Sequence, residues 1–98
     1  MSDAEAGAAE PTPQPEAEGD RAEAVLAYLA DQLVDDHDAV VIDREPTRNG
    51  GTRLSLRVAS DDMGKVIGRR GRVAQSIRGV VRAAGAAEGH DVVVDIVD

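Results

Sequence analysis

Cysteine, phenylalanine and tryptophan are absent from this chain of 98 residues, and Tyr28 is its one aromatic side chain. Without cysteine the chain can form neither a disulfide framework nor a thiolate metal site. Its core must therefore be aliphatic, built from Val, Leu, Ile and Ala. The length predicts one small domain, whose limited core would gain stability from an oligomeric partner.

Long apolar runs are also absent, because no segment approaches the roughly 20 apolar residues that cross a bilayer. The N-terminal residues show no basic stretch followed by an apolar one, which is the pattern of a secretory signal. We therefore expect a cytoplasmic protein that does not associate with membranes.

Basic residues are missing from the first 20 positions, which carry six of the 19 acids. The chain has a formal net charge of −8, and removing those six acids leaves 13 acids and 11 bases in residues 21–98, a net of −2. Residues 1–19 hold no aliphatic side chain larger than Ala after Met1, so burial cannot offset the entropy of ordering them. We expect a disordered acidic tail over 1–19 and a folded domain over 20–98.

The spacing of apolar residues predicts an α+β domain with the order helix, strand, strand, helix, helix, strand. Val25, Leu29 and Leu33 recur every four residues, which is typical of a helix, whereas residues 53–58 alternate like a half-buried strand. The first predicted helix begins at an Asp20 cap and ends at about 35–38, and strands follow at 39–45 and 53–58 around a turn at 48–51. A helix at 61–67, capped by Ser60, comes next. The last elements are a helix from 72, which Gly85 helps to end, and a strand at 92–97.

The most informative segment is residues 64–72, which read Gly-Lys-Val-Ile-Gly-Arg-Arg-Gly-Arg. Glycine tolerates backbone angles and close approaches that a Cβ forbids, and arginine suits forked contacts with phosphate. Residues 63–87 hold six bases and no acid, so the positive charge is local, as a nucleic-acid-binding face requires. An amphipathic helix follows, with a predicted apolar stripe of Val73, Ile77, Val80, Val81 and Ala84.

In this segment and in its element order the chain resembles a KH domain of the type II (prokaryotic) topology. More narrowly, it is similar to the small single-domain bacterial KH RNA-binding proteins, the KH domain-containing RNA-binding protein A family. The resemblance covers roughly residues 21–98 and implies an α-β-β-α-α-β fold whose three-stranded mixed sheet is covered on one face by helices. The residues that carry it are Val66-Ile67-Gly68-Arg69-Arg70-Gly71, continued by Arg72-Val73-Ala74-Gln75-Ser76-Ile77.

The resemblance also implies a binding site, because KH domains clamp about four nucleotides of single strand through a Gly-x-x-Gly loop. Two glycines would admit phosphates to the main chain, two arginines would reach phosphate oxygens, and flanking bases would add charge. An aliphatic wall, drawn from Val66, Ile67 and the strand at 53–58, would receive the bases. The predicted RNA-binding residues are Lys65, Val66, Ile67, Gly68, Arg69, Arg70, Gly71, Arg72 and Gln75.

The function that the resemblance implies is non-catalytic binding of single-stranded RNA, as a cytoplasmic RNA chaperone or post-transcriptional regulator. It further implies a homodimer, or a complex with a second KH-containing RNA-binding protein, and a link to cell shape and cell-wall homeostasis. Phe and Trp are lacking for base stacking, so we expect weak binding and modest specificity. No residue pattern indicates catalysis, a cofactor or a metal site.

Several alternatives stay open. The loop and its helix could act as a helix-turn-helix reader of duplex DNA, or the fold could serve only as a dimerising protein–protein adaptor. The glycines could form a tight turn without a ligand, and Arg78 and Arg82 could be a solvated helix face. The acidic residues 1–19 could either raise solubility or compete with RNA for the basic loop.

Overall fold

The computed structural model describes residues 20–97, which form an α+β domain with the predicted order of elements. Three short 3-10 turns accompany these elements, at His37–Ala39, Ser60–Asp62 and Arg69–Gly71. The prediction for residues 1–19 lies outside the described residues. The helices and strands are α1 (Asp20–Leu33), β1 (Val41–Pro46), β2 (Thr52–Arg57), α2 (Met63–Ile67), α3 (Arg72–Ala87) and β3 (Val92–Ile96).

The three strands form one mixed sheet in the order β1-β2-β3. β1 runs antiparallel to β2, with Val41 opposite Arg57, whereas β2 runs parallel to β3, with Thr52 opposite Val92. A parallel neighbour cannot be reached by a tight hairpin, so α2 and α3 carry the chain across one face of the sheet. This is the topology expected of a type II KH domain.

The core lies between the sheet and the helices. Alternation along β2 buries Leu54 and Leu56 completely and leaves Arg53 and Arg57 exposed on the opposite face of the sheet. α1 contributes Ala22, Leu26 and Ala30, and α3 contributes Ala74, Ile77 and Val81. Each fully buried Leu or Val side chain stabilises the fold by about 1.5–3 kcal/mol, so aliphatic burial suffices without aromatic residues.

Opposite ends of α1 and α3 lie together, which makes the two helices antiparallel. Arg21 in the first turn of α1 forms an ion pair with Glu88, just after α3, with 2.8 Å between Nε and Oε2. The first turn of α1 also holds β1, because Arg44 donates hydrogen bonds to Glu23 and Asp20. Asp20 thus lies in the first turn of α1, and its carboxylate accepts a hydrogen bond from Arg44.

Two local predictions were wrong. Ser60 does not cap the helix that follows it: it is the first residue of the 3-10 turn Ser60–Asp62, and Asp62 occupies the N-cap position of α2. Val80 is 50% exposed rather than part of the α3 stripe, which Ala74 completes. Tyr28 on α1 is 64% exposed. Within residues 20–97, no helix is long and apolar enough to cross a membrane.

α3 extends two residues beyond Gly85, to Ala87. An added Cβ at Gly85 would lie 2.6 Å from Cγ2 of Val92, so glycine is needed where α3 packs against β3. The carbonyl of Gly85 accepts hydrogen bonds from the amides of Glu88 and His90, which close the end of the helix. A sequence shows the glycine but not the side chain pressed against it.

Replacing this glycine should separate α3 from β3. We expect Gly85→Ala to lower the free energy of unfolding by about 1–3 kcal/mol, because the added methyl group overpacks the contact with Val92. Gly79→Ala is the matched control in the same helix, where a Cβ meets open space. It should stabilise the protein by about 0.5–1 kcal/mol through helix propensity. Equal changes in urea unfolding would contradict this account of Gly85.

Candidate nucleic-acid interface

The loop between α2 and α3 follows a backbone path that favours glycine. Gly68 has φ 77° and ψ 172°, a region that is essentially restricted to glycine. Arg70 and Gly71 follow in left-handed conformations, with φ 59° and 73°. The chain thus reverses within four residues, and α3 begins directly at Arg72 with right-handed helical angles.

The two glycines of the loop meet different surroundings. A Cβ at Gly68 would lie 2.3 Å from Cγ2 of Val73, so the loop can fold back onto the first turn of α3 only with glycine there. A Cβ at Gly71 would meet nothing within 4 Å. Gly71 therefore supplies a left-handed backbone angle, and the space above its Cα is open to a ligand.

Three exposed side chains, Arg69, Arg70 and Arg72, form what we call the arginine surface. Together with Val73 they line a shallow depression of about 440 Å³. No ion pair within residues 20–97 involves any of the three, whereas Arg21, Arg44, Arg53 and Lys65 are each paired with carboxylates. The backbone amides of Arg69 and Arg70 likewise have no acceptor among the described residues. The surface thus offers positive charge and N–H donors to an external anion.

Lys65 is exposed but directed elsewhere. Its Nζ forms ion pairs with Asp35 and with Asp62, the latter at 3.1 Å. Hydrogen bonds to Asp35 and Asp62 raise the pKa of Lys65 above its ordinary value. The sequence predicts that Lys65 adds positive charge beside the loop, but the carboxylates of Asp35 and Asp62 neutralise this charge within the domain.

Asp62 has a structural role that the sequence analysis missed. It is almost fully buried, and its Oδ2 accepts hydrogen bonds from the amides of Asp35 and Asp36 at 3.2 and 3.0 Å. The bond from Asp36 contributes most, followed by that from Lys65, and together they hold the pKa of Asp62 below its ordinary value. This carboxylate joins the segment after α1 to the start of α2. The spacing of Asp62 and Lys65 signals the ion pair, but nothing in the sequence signals the two amides.

Of the other predicted site residues, Gln75 is exposed on the first turn of α3 and Ile67 is half-buried beside the loop. Val66 is fully buried. The prediction that its side chain belongs to an exposed wall was therefore wrong, because α2 turns Val66 into the core beneath the loop. Val73, which the prediction omitted from the site, lines the depression instead.

Further along α3, Arg78 and Arg82 differ in their surroundings. Arg78 is half-buried, and its Nε donates a hydrogen bond of 3.4 Å to the carbonyl of Val94 on β3. Arg82 is exposed. Among residues 20–97, no three His, Asp or Glu side chains converge in a way that could hold a metal ion.

The buried carboxylate gives a pH prediction. Because the pKa of Asp62 is lowered by folding, its ionised form stabilises the protein fully above the ordinary carboxyl value of 3.8 and progressively less as pH falls through the folded pKa. Asp62→Asn keeps an oxygen for the two amides but loses the charge facing Lys65. We expect it to lower the Tm at pH 7 by about 4–8 °C.

The difference in Tm between the wild type and Asp62→Asn should shrink towards zero as the pH falls below the ordinary pKa of a carboxyl group. Asp61→Asn is the matched control, since Asp61 is exposed and carries the same charge one residue earlier. It should leave the Tm nearly unchanged. A difference that persists undiminished in acid would show that the charge of Asp62 is not what stabilises this contact.

Comparison with known proteins places this geometry in a family. The family model described as "KhpA/KhpB, KH domain" matches residues 23–96. RNA-binding protein KhpA of Clostridium acetobutylicum is 45% identical over 73 residues, covering 74% of this chain and 96% of that protein. RNA-binding protein KhpA of Streptomyces coelicolor is 45% identical over 76 residues, covering 78% of this chain and 91% of that protein. The protein of the same name from Treponema pallidum is 40% identical over 76 residues, covering 78% and 94%.

Solved structures support the same fold at much lower sequence identity. Crystal structures of the protein Era match with TM-scores of 0.53 and 0.54 at 15% identity, one from Aquifex aeolicus bound to GDP·AlF4− and one in complex with MgGDPNP and nucleotides 1506–1542 of 16S ribosomal RNA. Each match covers 88% of this chain and 35% of the Era chain, so the likeness concerns about a third of Era. From the family match over residues 23–96 and from the relatives at 40–45% identity, the chain belongs to the KhpA/KhpB family of KH domains.

Proposed function

We propose that this protein binds single-stranded RNA without catalysis and holds the RNA backbone at Gly68–Gly71. One observation carries the proposal: the arginine surface is exposed and without carboxylate partners among residues 20–97, on a loop whose glycines leave the main chain accessible. Cations that a fold leaves unneutralised at one point favour a polyanionic ligand. The relatives named RNA-binding protein KhpA support RNA as that ligand.

In the proposed complex, a phosphate enters the open space above Gly71, where no atom of the described domain would obstruct it. The amides of Arg69 and Arg70, which have no acceptor among the described residues, and the partial positive charge at the N-terminus of α3 attract this phosphate. Arg69 and Arg70 reach phosphate oxygens with their forked guanidinium groups, and Arg72 adds charge from the first residue of α3. Arg70 adopts its left-handed angle at a cost of about 1 kcal/mol, and its side chain is exposed.

The bases would lie beyond the phosphates on the apolar surface of Ile67 and Val73. No aromatic side chain lies within the loop or α3, so stacking contributes little and binding rests on charge and hydrogen bonds to base edges. If about three phosphates are neutralised, the affinity should fall with a log–log salt slope of about −2 for a single strand. This balance suits a protein that binds many RNAs weakly.

Weak and tolerant binding is consistent with the cellular role that we propose, a cytoplasmic RNA chaperone or post-transcriptional regulator. We further propose that the protein acts as a homodimer or beside a second KH-containing protein. The family description, which names KhpA together with KhpB, supports a KH partner.

The arginine surface predicts a loss of both affinity and salt dependence in Arg69→Gln/Arg70→Gln. We expect affinity for a short unstructured oligouridine to fall about tenfold at low salt and the salt slope to become shallower by about 1.4, since two phosphate contacts are lost. The free energy of unfolding should change little, because both side chains are exposed and make no ion pair among the described residues. Fluorescence anisotropy across a salt series measures both quantities.

The matched control is Arg53→Gln/Arg57→Gln, which removes the same charge from the face of the sheet opposite the helices. It should leave affinity within about twofold, because these positions lie away from the loop. Equal losses in the two variants would mean that net charge alone determines binding and would overturn the loop assignment. Stronger competition by duplex DNA than by single-stranded RNA would favour the helix-turn-helix reading instead.

A further inference from the structure

We propose that the acidic residues 1–19 bind the arginine surface of their own chain and compete there with RNA. The inference rests on the proposed function, since the competition matters only if the same surface holds RNA. It assigns an occupant to a surface of the described domain where three exposed arginines stand together without carboxylate partners.

The charge of the two regions is complementary. Residues 1–19 contain no Lys or Arg, and they carry five carboxylates, Asp3, Glu5, Glu10, Glu16 and Glu18. Residues 63–87 contain six bases and no acid. A segment with only negative charge and a surface with only positive charge attract each other at low ionic strength. Because both belong to one chain, their encounter is intramolecular and does not depend on protein concentration.

The folded domain has already neutralised the basic residues that lie nearest its own acids. Lys65 pairs with Asp35 and Asp62, Arg21 pairs with Glu88, and Arg44 binds the first turn of α1. No carboxylate of residues 20–97 pairs with Arg69, Arg70 or Arg72, so these arginines keep their full attraction for an anion. Residues 1–19 are a further source of negative charge, with five carboxylates and no base.

Distance then selects which acids can take part. α1 begins beside the end of α3, where Arg21 meets Glu88, whereas the arginine surface lies at the beginning of α3. α3 has 16 residues and is therefore about 24 Å long. An extended chain spans at most about 3.5 Å per residue, so Glu16, four residues before Asp20, reaches only about 14 Å. Glu10 reaches about 35 Å and Glu5 about 50 Å, so these two can contact the arginine surface.

Because these carboxylates differ in how far they can extend from Asp20, two matched variants of the full chain test the inference. They are Glu5→Gln/Glu10→Gln and Glu16→Gln/Glu18→Gln. Each pair removes two negative charges and keeps the size of the side chains, so a general effect of net charge would be the same in both. Only the first pair removes carboxylates that can reach the arginine surface. Exposed ion pairs are individually weak, so the expected competition is a few-fold effect and not a complete block.

We expect Glu5→Gln/Glu10→Gln to increase affinity for a short unstructured oligouridine by about three- to tenfold at about 25 mM salt, and Glu16→Gln/Glu18→Gln by less than about twofold. The gain should disappear at about 0.3 M salt, where screening removes the competing contact. Without RNA, the amide NMR signals of Gly68–Arg72 should shift between the wild type and the first variant but not the second.

Two results would overturn the inference: unchanged affinity in Glu5→Gln/Glu10→Gln at low salt, or equal gains in both pairs. Neither touches the proposed function, which fails instead if Arg69→Gln/Arg70→Gln binds RNA as tightly as the wild type. With these outcomes the two proposals are separated. If the competition holds, residues 1–19 raise selectivity, because an RNA must offer more than a few phosphates to displace them.

Discussion

The backbone at Gly68 is the constraint on which the rest of the site depends. Its φ of 77° and ψ of 172°, together with the closeness of Val73, exclude any side chain at this position. Only this turn allows α3 to begin within four residues of the end of α2. As a result, the arginines are held at the positive end of a 16-residue helix that the core fixes through Ile77 and Val81.

A second constraint is the division of charge within a chain that is acidic overall. Within the domain, acidic side chains form ion pairs with several of the basic ones. Asp62 and Asp35 pair with Lys65, and the first turn of α1 pairs with Arg44. The arginine surface is left out of these pairs among residues 20–97. A negatively charged protein can thus present a local positive surface.

Periodicity and residue type in the sequence predicted the order of elements, the buried face of β2 and the position of the loop. Those features are local, because a two-residue alternation or a pair of glycines around two arginines is visible within a short window. The features it missed depend on contacts between distant segments. Asp62 meets amides 26 and 27 residues away, and Gly85 meets Val92 across a turn. Val66 was predicted to contact the ligand and is buried, whereas Val80 was predicted to be buried and is 50% exposed. Both side chains are apolar, so only their packing distinguishes them.

The central claim is that an unpaired RNA strand contacts the loop between α2 and α3, and NMR titration tests it most directly. An unstructured oligoribonucleotide is added to the 15N-labelled full chain while each backbone amide is followed. The account predicts that the largest changes occur at Gly68–Arg72 and extend into the first turn of α3. Amide signals that stay unmoved there, or changes confined to the exposed face of the sheet around Arg53 and Arg57, would contradict it.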